Sequence, residues 1–233
     1  MEEIDSLRKH LDRMEAPDES LRSFSDLPRM KYAFFPGGDG LYLGPQAKRY
    51  PRNGVLILGS NFGCKNGFIN EFDELRCTDE RANPTWTGML ELLKHSEIEV
   101  DGCFFTNAWP FLHVGTKNLS EYVGRWLKSQ QVMARCLEFF NVTYLSLQPR
   151  LIIALGTGPA AFLSHFWRDP LPHWRKYRWA DVDQGPVVEV PNAAVCVAIT
   201  HPSMPNRRHR SESYRTFAGE AQLVKEAARL AKL

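Results

Sequence analysis

The sequence predicts an α/β fold, namely a three-layer α/β/α sandwich with a short central, mostly parallel sheet. The first observation is a set of four short apolar runs at residues 55–58, 102–106, 151–155 and 194–199. None of the runs alternates with polar residues, which is typical of strands that are covered on both faces. The second observation is that segments with helical spacing lie between the runs. Alternating strands and helices favour right-handed βαβ units.

The predicted helices surround these strands. Near the N-terminus, residues 1–15 form an amphipathic helix whose apolar face consists of Ile4, Leu7, Leu11 and Met14. The other segments with helical spacing are residues 85–95, 119–140, 159–167 and 214–233. Residues 16–54 are rich in Pro, Gly, Asp and Ser, which predicts an irregular segment. We therefore divide the chain into a helical and irregular lead-in, residues 1–40, and one domain, residues 41–233.

The composition indicates a globular protein and excludes several other classes. The chain has 233 residues, of which 43% are hydrophobic, enough to bury one sizeable core. No apolar run reaches the roughly 18 residues of a transmembrane helix, and the charged start of the chain lacks the apolar segment of a signal peptide. We therefore expect a cytoplasmic or nucleoid-associated protein. The formal net charge of +2 is too small to indicate nucleic-acid binding by itself.

The cysteines argue against a disulfide framework, because they are odd in number and widely spaced. They are Cys64, Cys77, Cys103, Cys136 and Cys196. No CxxC pair occurs, so we expect no zinc or iron–sulfur site. Three of the five lie in or beside apolar runs, which is typical of small core hydrophobes.

Polar side chains follow the predicted strands, at the sheet edge where α/β proteins bind ligands. GSNFG follows the first strand and carries Asn61, TNAWP follows the second and carries Asn107, and HPSMPNRRHR follows the last and carries His201. Prolines stiffen the last loop, and its arginines suit phosphate oxygens. For each loop the alternative is a structural residue in a turn or a solvated loop. GTGPAAF, after the third strand, lacks dinucleotide or P-loop spacing, and we interpret it as structural.

Together, GSNFG, then TNAWP, then the LIIALG strand, then HPSMPNRR resemble the uracil-DNA glycosylase superfamily, over roughly residues 52–220. In that superfamily a water-handling loop of the GxNPG, GQDPY or GEAPG kind follows the first core strand. An Asn follows a middle strand and an HPSP-like loop follows a late one. The resemblance implies a monofunctional DNA repair enzyme without a cofactor, which hydrolyses the N-glycosidic bond of uracil or a related damaged base in DNA.

The resemblance also implies a role for each matching residue. Asn61 orients the attacking water, His201 stabilises negative charge on uracil O2, and Asn107 recognises the edge of uracil. The other residues expected at the base are Gly59, Ser60, Phe62, Phe68 and Phe72, and the stacking ring is Phe72 first, Phe68 second or Trp86 third. The residues expected at the DNA are Ser203, Met204, Pro205, Arg207, Arg208 and Arg210. Met204 and Pro205 lie where the family inserts a wedge into the space left by the flipped base.

Two departures from the family pattern keep alternatives open. Phe62 stands where the first motif usually has proline, and the motif tail CKNGFINEF does not align with the family. One alternative is a catalytically silent nucleic-acid-binding module on the same fold. The other is an enzyme that acts on free nucleosides or nucleotides. Salt-sensitive DNA binding separates the glycosylase and the silent module from the enzyme that acts on nucleosides or nucleotides. Product formation separates the glycosylase from the silent module.

Overall fold

The computed structural model describes residues 2–25, 27, 29–47, 50–63, 80–114, 119–204 and 207–233. The strands of this part of the chain are β1 (Leu21–Arg22), β2 (Val55–Gly59), β3 (Cys103–Asn107), β4 (Leu112–His113), β5 (Leu151–Leu155), β6 (Val187–Val190) and β7 (Ala194–Ile199). The main sheet has the order β3-β2-β5-β7-β6, with β6 antiparallel to β7 and the other neighbours parallel. Strands β1 and β4 pair separately and antiparallel.

The helices are α1 (Glu2–Asp12), α2 (Pro84–His95), α3 (Leu119–Trp126), α4 (Gln130–Leu147), α5 (Thr157–Phe166), α6 (Trp179–Val182) and α7 (Phe217–Leu230). Side-chain caps fix where three of them begin. Asn83 caps α2, Ser129 caps α4 and Thr216 caps α7, each by accepting a backbone N–H of the first turn. The prediction of one continuous helix over residues 119–140 is wrong, because Ser129 starts a new helix within it.

Helices cover both faces of the main sheet. Leu56 and Ile152 point to a core that also contains residues of α1, α4 and α5. Their neighbours Ile57 and Ile153 point to the opposite face, where they pack with α2 and α7. Strands buried on both faces explain the unbroken apolar runs in the sequence. The predicted fold class is confirmed as a mixed α/β fold with a mostly parallel sheet between helices.

The expected lead-in, residues 1–40, packs against this sheet. Leu7, Leu11 and Met14 are buried in the same core as Leu56. Further along, the backbone N–H of Phe35 donates to the carbonyl of Phe105, at 2.9 Å. The apolar face of helix α1 therefore packs against the core on one face of the main sheet.

The described cysteines Cys103, Cys136 and Cys196 are buried free thiols. Burial raises the pKa of each well above its ordinary value, so all three behave as small core hydrophobes, as predicted. Cys64 and Cys77 lie outside the described residues. No helix in the described part of the chain has both the length and the apolar character that crossing a membrane requires.

Candidate active site

The carboxyl ends of β3, β2, β5 and β7 lie at one edge of the sheet, which we call the carboxyl edge. Strand order reverses at β2, since the chain passes from β2 to β3 on one side and later to β5 on the other. The helix that follows β2 lies on one face and the helix that follows β5 lies on the opposite face. Loops that diverge in this way leave a crevice, and ligands of α/β sheets bind there. The GSNFG loop lies at this point.

Asn107 ends β3 and is buried, with 5% of its surface exposed. Its side-chain oxygen occupies the space that a Cβ on Gly59 would need, and the Phe34 ring lies 3.2 Å from the same position. Gly59 and Asn107 are register partners on neighbouring strands. The absence of a side chain on Gly59 therefore lets the Asn107 amide fold across the end of β2, next to an aromatic ring.

Phe34 is held in this position by its neighbours. Its ring packs edge-on against Trp86, at 5.2 Å between centroids, and its backbone N–H donates to the Glu80 carboxylate at 3.1 Å. Burial raises the pKa of Glu80 to about 7. Trp86 is fully buried and packs on Phe105 at 4.4 Å, so it is a core residue and not the stacking ring suggested as third choice. Phe68 and Phe72 lie outside the described residues.

His201 follows β7 and is held by its own loop. Its Nδ1 lies 2.8 Å from the Ser203 hydroxyl and accepts the Ser203 backbone N–H at 3.4 Å. Because a backbone N–H can only donate, Nδ1 is the acceptor and the neutral ring carries its proton on Nε2. Burial lowers the pKa of His201, so the ring is neutral at pH 7. The loop therefore presents a neutral hydrogen-bond donor.

Helix α2 fixes the position of this loop. A Cβ on Gly88 would lie 2.9 Å from the Pro202 carbonyl oxygen and 3.1 Å from the Pro202 Cβ. Only glycine permits so close an approach between the helix and the loop. The His201 loop is thus packed against the same helix that supports Phe34 through Trp86.

Asn61 lies in the loop after β2, and its two side-chain atoms differ in their surroundings. The side-chain oxygen accepts the Gly63 backbone N–H at 3.4 Å, which closes a local turn. The side-chain nitrogen is buried without a hydrogen-bond partner among the described residues. The oxygen that would have to orient a water is therefore shared with the backbone of its own loop.

Two other residues of this loop contact other parts of the chain. The ring of Phe62 packs edge-on against Phe24, at 5.4 Å between centroids, and lies 2.6 Å from the position of a Cβ on Gly37. The Ser60 hydroxyl lies 3.8 Å from the position of a Cβ on Gly158, in the first turn of α5. Phe62 therefore holds the loop to the N-terminal segment, and Ser60 faces the α5 side of the sheet.

The arginines that follow His201 are largely structural. The Arg210 side chain is 0% exposed, and its guanidinium binds Asp183 at 2.8 Å and Glu220 at 2.9 Å. The prediction that Arg210 contacts DNA is wrong, because no part of its side chain reaches the surface. Arg207 is 13% exposed and donates through Nε to Glu220 at 2.6 Å. Arg208 is exposed, as the prediction requires.

Sequence reasoning missed the carboxylates that hold these arginines. Glu220 is 1% exposed and also accepts the Thr200 backbone N–H at 2.7 Å, directly before His201. A cluster of four charged residues therefore supports the base of the His201 loop. We call it the Glu220 cluster, and it consists of Glu220, Arg207, Arg210 and Asp183. A signal was present, because Glu220 lies on the same helical face as the buried Leu223 and Val224.

The residues predicted to touch DNA differ in accessibility. Met204 is 57% exposed, which suits a wedge, and Pro205 lies outside the described residues. Ser203 is exposed, but its hydroxyl is engaged with the His201 ring. Asn107 and His201 thus follow strands whose carboxyl ends lie at the same edge, and Phe34 packs beside Asn107. Comparison with models of known protein families finds no match, and comparison with curated proteins finds no significant match.

Proposed function

We propose that the chain is a DNA glycosylase with a uracil-DNA glycosylase-like sandwich, which hydrolyses the N-glycosidic bond of uracil or a related damaged base. The observation that carries the proposal is the state of His201. The ring is neutral, its proton is on Nε2, and it lies at the same sheet edge as Asn107. A fixed neutral donor suits a reaction whose leaving group develops negative charge.

The chemistry explains why a neutral donor is suitable. Cleavage of the glycosidic bond produces a sugar with oxocarbenium character and an anionic base. A preorganised hydrogen bond to that anion stabilises the transition state, and removal of one such donor typically slows a reaction by about 10²–10³-fold. His201 supplies the donor through Nε2–H, while Ser203 fixes the ring through Nδ1. The reaction then needs no strong nucleophile.

The spacing of the strands suits one pyrimidine ring. Strands β3 and β7 are separated by β2 and β5, so Asn107 and His201 start three strand spacings apart, or roughly 14 Å. The Asn107 amide extends into this distance across the end of β2. Asn107 offers a donor and an acceptor to the base edge, and the buried Phe34 ring supports the Asn107 amide from beside it. A base reaches this position only after it leaves the stack, which is easiest from single-stranded or mispaired DNA.

Asn61 supports a second candidate function. Its side-chain oxygen already accepts the Gly63 N–H, which weakens its ability to hold an attacking water. A chain that retains Asn107 and His201 but activates water poorly would bind uracil-containing DNA without releasing the base. The second candidate is therefore the silent nucleic-acid-binding module.

Incubation with oligonucleotides distinguishes the candidates. The substrates are single strands and duplexes that carry uracil, hydroxymethyluracil or hypoxanthine, and in the duplex the uracil lies opposite guanine. Alkali then cleaves the strand at abasic sites. A glycosylase gives strand scission for at least one base, and a Gly102→Ala control, whose new Cβ meets nothing within 4 Å, retains the activity. Salt-sensitive binding without scission supports the silent module. The proposal is overturned if the chain neither binds nor cleaves any of these substrates.

A further inference from the structure

An exposed basic segment reaches the carboxyl edge at its C-terminal end, beside the first turn of α5. The segment joins α5 to α6, and the sequence analysis assigned it no role. Its exposed residues include Arg168, His173, Arg175, Lys176, Tyr177 and Arg178. Residues 168–178 contain four Lys or Arg residues and one Asp residue, so the segment carries a net charge of +3 with His neutral. It is more positive than the whole chain, whose net charge is +2.

Two contacts fix the C-terminal end of the segment beside the crevice. The Tyr177 ring lies 3.4 Å from the position of a Cβ on Gly158, and the Ser60 hydroxyl lies 3.8 Å from the same position. Two residues further on, at the start of α6, the Trp179 ring stacks on the guanidinium of Arg210, at 4.1 Å. This end of the segment therefore lies between the loop after β2 and the support of the His201 loop.

Tyr177 is unusual in both exposure and backbone. It is 36% exposed, and its φ of 56° lies in the left-handed region, which bulky residues rarely adopt. Its backbone N–H donates to the Trp174 carbonyl at 3.4 Å, and its side chain is hydrogen-bonded to Thr157. An exposed aromatic ring held in an unfavourable backbone conformation often marks a binding residue.

The cations around Tyr177 are only partly neutralised within the segment. Lys176 and Arg178 share one carboxylate, Asp181, at 3.1 and 2.8 Å, and their side chains remain 63% and 66% exposed. The pKa of His165 is lowered by burial and further by the positive charges of Arg175 and Arg168. Exposed cations therefore precede and follow Tyr177 in the segment.

From these observations we infer that residues 168–178 bind the DNA strand next to the reacting base, with Tyr177 stacking on an unpaired base and Arg175 and its neighbours contacting phosphates. A ring between exposed cations is the arrangement by which proteins hold single strands. The inference rests on the proposed function for the identity of its ligand. The phosphates are then contacted by the exposed guanidiniums of this segment and not by the buried guanidinium of Arg210.

The test measures binding of a single-stranded oligonucleotide without uracil, by fluorescence anisotropy at several salt concentrations. Arg175→Gln should lower the slope of log affinity against log salt by about 0.7, the value for one phosphate contact of a single strand. Tyr177→Asn keeps a residue that tolerates a left-handed backbone and should weaken binding about 5- to 150-fold with little change in slope. Arg229→Gln is the matched control, an exposed arginine in the last turn of α7.

The outcomes separate this inference from the proposed function. Variants that bind like the Arg229→Gln control, or a wild-type chain that does not bind the oligonucleotide, overturn the inference even if uracil is excised. Loss of binding in Tyr177→Asn and Arg175→Gln supports it even if the wild-type chain excises no base. Thermal unfolding of each variant shows whether a change in binding reflects loss of the fold.

Discussion

Replacement of Glu220 by glutamine perturbs the support of the His201 loop. The carboxylate is 1% exposed and binds two guanidiniums, Arg207 at 2.6 Å and Arg210 at 2.9 Å. Glutamine has nearly the same shape but no charge, and its single oxygen cannot accept from both arginines and from the Thr200 N–H. Arg210, with a fully buried side chain, would keep only Asp183 as a charged partner. Breaking a buried ion pair on one side typically costs about 3–5 kcal/mol, which is the loss of unfolding free energy that we expect.

Urea titration of the purified variant measures this loss. The matched control is Glu97→Gln, which removes a carboxylate that is 71% exposed and paired with Lys225 on the surface. An exposed pair contributes about 1 kcal/mol at most, so the control should unfold almost like the wild-type chain. Base excision by Glu220→Gln should also slow, because the Thr200 N–H that precedes His201 loses its buried acceptor. If both variants have the same unfolding free energy, the structural role given to Glu220 is refuted.

Three further predictions concern the residues at the carboxyl edge. Gly59→Ala places a Cβ against the Asn107 oxygen, which corresponds to about 1–3 kcal/mol of overpacking. The kcat/KM for excision should therefore fall about 5- to 150-fold. A rate equal to that of Gly102→Ala would contradict this prediction. Ser203→Ala removes the hydroxyl but keeps the backbone donor to the ring of His201, so excision should slow only about 2- to 10-fold in single-turnover assays, and a loss as large as that of His201→Ala would give Ser203 a larger role. Because burial lowers the pKa of His201 below 6.5, only the unfolded chain takes up this proton as pH falls from 6.5 toward the folded pKa. The unfolding free energy of the wild-type chain should therefore fall in that window relative to His201→Asn, as urea titrations at several pH values would show, and a constant difference would mean that His201 has an ordinary pKa.

The sheet was predictable because burial on both faces leaves an unambiguous signal. The runs at residues 151–155 and 194–199 match β5 and β7. The run at 55–58 is one residue shorter than β2, and the run at 102–106 is shifted by one residue from β3. Strand β6 was not predicted, because it is an outermost strand of the sheet and only Val190 among its residues is buried. An edge strand with partly exposed side chains lacks the continuous apolar run that identified the others.

The site was predictable only where chain order determines position. Polar residues directly after parallel strands must meet at one edge, so Asn61, Asn107 and His201 could be located from the strands alone. Their supporting residues are distant in sequence and could not be located in this way. Phe34 reaches Asn107 from the N-terminal segment, and Glu220 reaches Thr200 from the last helix. The same limit explains the error at Arg210, since its sequence neighbours suggest a basic loop and its buried carboxylate partners lie elsewhere.

The most direct test of the proposed mechanism is the single-turnover rate of uracil release from a single-stranded oligonucleotide, measured for the wild-type chain and for His201→Ala. The substitution removes the neutral Nε2–H donor at the carboxyl edge. We expect the wild-type chain to release uracil and the variant to be about 10²–10³-fold slower, the usual effect of removing one transition-state donor. Equal rates for the two proteins would contradict the role of His201, and no release by the wild-type chain would contradict the excision of uracil.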